Sequence, residues 1–310
     1  MAALSRLSLC TSAFVACVLV FASLAGTASA QPSNSEKAAS AAADATKIIS
    51  IGGDITEILY AIGADKSIVA IDSTSQYPPE ALQQKKDVGY MRALSTEGVL
   101  SVNASLIIAS DRAGPPEVVK TLKSSPIQYI EIAEDFSPLG IAGKARQVSR
   151  IVGLEAAGNE LASRIEGDFE TLAAQRGSIK KPLRALFVLN VANGRATVGG
   201  SNTSADAILK LAGAENAAAS INGFKPISDE AMVELKPEAI VTMRRSNGNH
   251  DAHQILAMKG MSTSPAAVEK RVFSMDGLYL LGFGPRAPAA ALDLMRMLYP
   301  ELPKRAELAR

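Results

Sequence analysis

Two kinds of apolar pattern alternate along the chain. Short, mostly apolar runs lie at Ile48–Ile51 and at residues 106–109, 183–189 and 239–242. Runs of this length, set between turn-forming residues, read as buried strands. A further short strand is predicted at residues 279–281, just before the Gly282-Phe283-Gly284-Pro285-Arg286 segment. Residues 139–176 are different. They are nearly free of breakers and carry Ile151, Leu154, Leu161, Ile165, Phe169 and Leu172 at three- to four-residue spacing, the apolar stripe of a helix. The spacing predicts a long helix ending near Gly177 and a shorter one before Gly153.

The earliest apolar run has another meaning. Arg6 precedes residues 7–24, which are mostly apolar, and Ala28-Ser29-Ala30 is a small-x-small signal before Gln31. This predicts a secretory signal peptide over residues 1–30. A membrane anchor is the alternative, but Ser8, Thr11, Ser12 and Ser23 interrupt the run, and Phe14-Val15-Ala16 is a poor box for lipid attachment at Cys17. Residues 31–46, rich in Ala and Ser, read as a flexible leader.

The remaining chain contains a weak internal repeat. Thr56-Glu57-Ile58-Leu59-Tyr60-Ala61-Ile62-Gly63-Ala64-Asp65 resembles Asp206-Ala207-Ile208-Leu209-Lys210-Leu211-Ala212-Gly213-Ala214-Glu215. Each reads as a helix stopped by glycine, following a strand and a Gly-Gly pair. A second match pairs Leu94-Ser95-Thr96-Glu97 with Ile227-Ser228-Asp229-Glu230, where serine N-caps a helix with acids in its first turn and a buried strand follows. Two matches in the same order predict an α/β fold of two Rossmann-like lobes joined by a long interdomain helix. The lobes span residues 47–138 and 178–310, with linking helices at 139–177. Ligands in such layouts sit between the lobes, beyond the carboxyl ends of the strands.

Composition narrows the function. The formal net charge is +1, so no global field favours nucleic acid. Cys10 and Cys17, the two cysteines, both lie in the predicted signal peptide. A mature chain without thiols has no disulfide, no cysteine-ligated metal and no thiol chemistry. No nucleophile elbow, phosphate loop or dinucleotide fingerprint is present.

The segment Val88-Gly89-Tyr90-Met91-Arg92-Ala93-Leu94-Ser95-Thr96-Glu97-Gly98 carries the most chemistry. It sets a tyrosine and an arginine in a glycine-started loop and a glutamate at the start of the next helix. On local sequence alone, Tyr90 is either a half-buried loop aromatic or a ligand.

At these residues the chain resembles the substrate-binding proteins of bacterial ABC importers whose lobes are joined by one long helix, which serve cobalamin, iron–siderophores and haem. Within them it is most similar to the periplasmic haem-binding proteins. The resemblance runs over residues 47–299. Ile49-Ser50-Ile51-Gly52-Gly53-Asp54-Ile55-Thr56-Glu57 and Asp72-Ser73-Thr74-Ser75-Gln76-Tyr77-Pro78-Pro79 carry it broadly, and Gly114-Pro115-Pro116 also belongs to it. The Gly89 to Gly98 segment and Gly282-Phe283-Gly284-Pro285-Arg286 are its haem-specific part.

The resemblance implies haem b as transported ligand, with Tyr90 as axial ligand to the iron. Ferric iron suits a phenolate, one of the recognised axial ligands of haem. Deprotonating a free tyrosine of pKa ~10 at pH 7 costs about 4 kcal/mol, which the iron and a nearby cation offset. Arg92 is the candidate cation, through the phenolate or a propionate. Arg112 and Arg286, with Met243, Arg244 and Arg245, are candidates at the cleft rim, the alternative being solvated charge. His250 and His253, the only histidines, are candidates for the second iron face or simply exposed loop residues. Asn190-Val191-Ala192-Asn193 lacks the histidine that some relatives place there.

By the same resemblance, Glu97 and Glu230 dock the two lobes on the membrane permease, which works with its ATPase. An outer-membrane haem receptor would act upstream. Iron–siderophore or cobalamin binding by the same fold is the first alternative, and a secreted haem-handling enzyme the second.

Overall fold

The computed structural model describes residues 47–244 and 252–302, apart from the side chains of Ala252 and His253. The expected signal peptide and leader, Arg245 and His250 lie outside the described residues.

The first lobe alternates strands and helices. It runs β1 (Ile48–Ile51), α1 (Gly53–Ala61), β2 (Ile68–Ile71), α2 (Glu80–Gln84), β3 (Lys86–Asp87), α3 (Thr96–Leu100), β4 (Leu106–Ser110), α4 (Pro116–Lys123) and β5 (Gln128–Ile132). The strands form one parallel sheet in the order β3-β2-β1-β4-β5. All of β1 is fully buried, as expected of a central strand covered on both faces. The chain winds outward from β1 to β3, then returns beside β1 as β4. That reversal opens a crevice at the carboxyl ends of β1 and β4.

Two helices then cross between the lobes, α5 (Pro138–Ile151) and α6 (Glu155–Arg176). Both lie where the apolar stripe predicts them, and Gly153 turns between them at φ 71°. At 22 residues, α6 is roughly 33 Å long. The two pack closely. A side chain at Gly158 would meet Ser149, and Arg146 holds Glu166 bidentately at 2.7 and 3.0 Å. The connection is thus a helical pair: α5 packs on α1, while α6 packs on helices of the second lobe.

The second lobe runs β6 (Arg184–Ala192), β7 (Arg195–Gly199), α7 (Ser204–Leu211), β8 (Glu215–Asn216), β9 (Phe224–Ile227), α8 (Asp229–Leu235), β10 (Ala239–Arg244), α9 (Ala252–Ala257), α10 (Pro265–Val268), β11 (Val272–Asp276), α11 (Gly277–Leu281) and α12 (Ala287–Leu298). Its sheet has the order β11-β10-β6-β7-β9, with β8 beside β6. Here the two halves diverge. β7 is antiparallel to both β6 and β9, so the second sheet is mixed. The β6–β7 hairpin turns through Asn193 and Gly194 at φ 53° and 71°, the positive angles a tight hairpin demands. The Gly199-Gly200 pair therefore follows an added strand rather than β6 directly.

The repeat is visible in how α1 and α7 end. Ala64 N donates to Leu59 O at 2.8 Å, and Ala214 N donates to Leu209 O at 2.9 Å. Gly63 and Gly213 supply the left-handed residue at φ 80° and 79°. Residues 279–281, expected as strand, instead belong to α11, and β11 precedes them. The Asp276 side chain accepts from Tyr279 N at 2.9 Å and starts the helix, which a short apolar run alone does not announce. One apolar cluster extends through both lobes and the helical pair, including Ile58, Leu106, Ile141, Phe169, Phe187 and Leu292.

Candidate functional site

A cavity of about 850 Å³ lies between the lobes, within the size range of sites for sizeable organic ligands. The loops after β1, β2, β3 and β4 line it from one side, and β6, β9, β10 and α11 from the other. Met91, Leu189, Phe224, Met243, Leu278 and Leu281 give it an apolar wall, and Arg92, Arg112 and Arg244 bring positive charge.

Tyr90 reaches the cavity because of its loop's periodicity. Val88, Met91 and Leu94 are 7%, 8% and 4% exposed, so every third residue is anchored in the core. Backbone bonds fasten the loop to its neighbours. Val88 N donates to Ile71 O at 2.9 Å, Gly114 N to Met91 O at 2.8 Å and Leu94 N to Gly114 O at 3.0 Å. Gly89, at φ 97°, makes the left-handed turn that starts the loop. Tyr90 and Arg92 are left facing the cavity, with Tyr90 45% exposed. Arg92 Nη1 donates to the Tyr90 hydroxyl at 2.8 Å.

The cavity floor is charged. Asp54, in the first turn of α1, and Glu134, beyond β5, both line it, and both pair with Lys144 Nζ from α5. The Lys144 side chain is 1% exposed. Its burial would depress the ammonium, but the two carboxylates outweigh that and hold it above the usual lysine range. Burial pushes the Glu134 carboxyl up, Asp54 adds to this, and Lys144 opposes it. Arg112 lines the cavity beside this group, its guanidinium 4.8 Å from the Phe136 ring centroid.

The turn that presents Asp54 is fixed by Asp72, which accepts from Gly52 N at 2.8 Å, Thr74 N at 2.9 Å and Ser75 Oγ at 2.9 Å. Burial raises the Asp72 carboxyl, and these donors oppose the shift. Gly53 leaves no room for a side chain. A Cβ there would lie 2.6 Å from both Thr74 O and Leu278 Cδ1 of the second lobe.

Arg286 is placed differently from the rim position expected of it. It is absent from the cavity lining and engages Glu57 instead, with Nε to Oε1 at 3.0 Å and Nη2 to Oε2 at 2.9 Å. The reason is local: Glu57 is 5% exposed on the inner face of α1, so its charge needs a partner there. Burial raises the Glu57 carboxyl, and Arg286 opposes that shift.

Arg244 and Met243, at the end of β10, do line the cavity. His253 falls in α9, with its side chain outside the described residues. Glu97 and Glu230 stand apart from the cavity. Each is exposed in the first turn of its helix, α3 or α8, behind a serine cap: Ser95 accepts from Gly98 N, and Ser228 from Ala231 N.

Sequence reasoning missed Asp54, Glu57, Glu134 and Lys144. Lys144 had a signal, because it falls on the buried face of α5 with Ile141, Ala145 and Val148. Asp54 and Glu57 also sit on buried positions of α1, where acids are unexpected. Glu134 lies in a loop and had none.

Known proteins are similar to this chain in sequence and in fold. The family model described as periplasmic binding protein matches residues 48–278. The periplasmic heme-binding protein BhuT, solved in complex with two hemes, is 33% identical, covers 83% of this chain and 99% of its own, and superposes with a TM-score of 0.77. An uncharacterized ABC transporter substrate-binding lipoprotein of Bacillus subtilis, YvrC, is 26% identical over 82% of this chain and 80% of its own length. A vitamin B12-binding protein of Vibrio parahaemolyticus is 26% identical over 64% of this chain and 71% of its own. With two lobes around one cleft and a family match over most of its length, the chain belongs to the periplasmic binding protein family.

Proposed function

We propose that this protein captures haem in the interlobe cleft and delivers it to an ABC importer of the inner membrane. The observation that carries the reading is the Tyr90–Arg92 hydrogen bond at the cavity wall. A phenol oxygen at a cavity with an apolar wall, held by a guanidinium, is a hard-ligand site suited to ferric iron.

Arg112 and Arg244 supply positive charge from opposite lobes for a ligand's carboxylates, and Met91, Leu189, Phe224 and Leu281 suit a flat apolar macrocycle. The described relative with the same fold binds two hemes. Haem b is the cargo in this reading, and it is supplied from outside the periplasm by an outer-membrane receptor. Glu97 and Glu230, exposed at equivalent places on the two lobes, dock on the permease. Residues 1–30 direct export and are removed. Among the described residues no helix is long and apolar enough to cross a membrane.

The similarity to a vitamin B12-binding protein favours one second reading, cobalamin in the same cleft. Titrating the protein with hemin and, separately, with cyanocobalamin separates the two. Saturable binding of hemin with a shifted Soret band, and none of cyanocobalamin, is the expected result. The reverse selectivity overturns the proposal.

A further inference from the structure

The Glu57–Arg286 pair joins residues 229 positions apart and bridges the two lobes beside the cavity. Glu57 belongs to α1 of the first lobe, and Arg286 immediately precedes α12 of the second. The contact is bidentate, and Arg286 N also donates to Glu57 Oε1 at 3.2 Å. The guanidinium carbon lies 3.4 Å from the Tyr77 ring centroid, so a first-lobe ring covers the arginine that reaches in from the second.

Two more contacts close the same seam. Phe136 of the first lobe meets Phe283 of the second with ring centroids 4.7 Å apart. Gly284 lies so close to α1 that a Cβ would be 3.3 Å from the Glu57 carboxyl carbon and 3.4 Å from Asp54 Cα. Phe283 has φ 52°, a left-handed conformation unfavourable for an aromatic residue, and it is 1% exposed. Such a conformation persists where the surroundings over-determine it. One end of this loop, Gly282, lines the cavity itself.

We propose that the loop from Gly282 to Arg286 is an interlobe latch, in which Arg286 held by Glu57 and Tyr77 fixes the width of the cleft before cargo arrives, and whose release opens the cleft for unloading. A buried ion pair is a poor source of net stability but a strict setter of geometry, because breaking one side leaves the other charge uncompensated. The latch rests on contacts between the lobes and not on the identity of the cargo.

The test is an interlobe distance. In a chain with Cys10 and Cys17 replaced by serine, spin labels on Lys120→Cys and Lys225→Cys, both exposed and on opposite lobes, report the separation by double electron–electron resonance. Without cargo, the otherwise unaltered protein should give one narrow distance, and Glu57→Gln should broaden or lengthen it. Hemin release should then accelerate roughly tenfold or more. Arg286→Lys keeps the charge but loses the fork, and should widen the distribution less; it serves where Glu57→Gln does not fold. A broad distance in the unaltered protein, or an unchanged narrow one in a folded variant, overturns the latch. Failure of hemin to bind would count against the cargo and leave the distance result to decide the latch.

Discussion

Arg92 donates to the hydroxyl of Tyr90 at 2.8 Å across a single intervening residue, Met91, whose side chain is buried beneath them. The loop's three-residue anchoring produces this geometry. With Val88, Met91 and Leu94 in the core, the residues flanking Met91 face the cavity from the same side. Replacing Arg92 by leucine leaves the anchors untouched and removes the cation. Hemin affinity should fall by about tenfold, near 1.4 kcal/mol, with the melting temperature little changed. Equal affinity in a spectroscopic titration would show that Arg92 does not support the bound iron.

Glu134 should make stability depend on pH in an uncommon direction. Burial raises its carboxyl, Asp54 raises it further, and Lys144 only partly opposes this. For an acid raised in the folded state, the folded chain holds the proton where the unfolded chain has lost it. The stabilisation is therefore complete below the unfolded value and declines as pH rises through the folded one. Glu134→Gln mimics the protonated form at every pH. Relative to the unaltered protein, this variant's stability should improve as pH rises from the unfolded carboxyl value through the raised folded one, the loss of a Lys144 partner setting only a constant offset. Urea midpoints across that range check it, and a gap that does not change with pH contradicts it.

Gly53 marks where the second lobe presses on the start of α1. Gly53→Ala places a methyl against Thr74 O and Leu278 Cδ1, and the backbone oxygen cannot swing away as a side chain would. The expected cost is about 1–3 kcal/mol of unfolding free energy, read by chemical denaturation. A neutral effect would mean that the lobes adjust freely at this point.

Much of the architecture was legible in the sequence because it rests on strong local signals. The stripe from Ile151 to Leu172 specified α6, and Ser95 and Ser228 announced the helices they cap. Gly63 and Gly213 marked equivalent helix ends. The β6–β7 hairpin was also written, as Asn193-Gly194 between alternating residues, but the repeat suggested a direct strand-to-helix passage there. The pairing of Arg286 with Glu57 was not legible, because the two are 229 positions apart and no local pattern reveals such a contact. The Asp54–Lys144–Glu134 group was legible only in part: Asp54 and Lys144 fall on buried helix positions, but Glu134 lies in a loop, and only the packing of α5 on α1 brings the group together.

Glu97 and Glu230 provide a test of transport separate from binding. Both are exposed and neither lines the cavity. Glu97→Lys combined with Glu230→Lys should leave hemin titrations unchanged and cost about 0.3–1 kcal/mol of stability at each site, because each lysine replaces an acid in the first turn of its helix. Hemin uptake by proteoliposomes carrying the cognate importer should fall about tenfold or more, since opposed charges set docking orientation and encounter rate. Undiminished uptake would remove these residues from the docking surface.

A bond between the Tyr90 oxygen and ferric iron would be visible in resonance Raman spectra of the hemin complex. Iron-bound phenolate vibrations should shift when the protein is made with ring-labelled tyrosine and vanish in Tyr90→Phe, whose hemin affinity should fall by roughly a hundredfold or more. A hemin complex without phenolate bands, or with bands that persist in Tyr90→Phe, would contradict it.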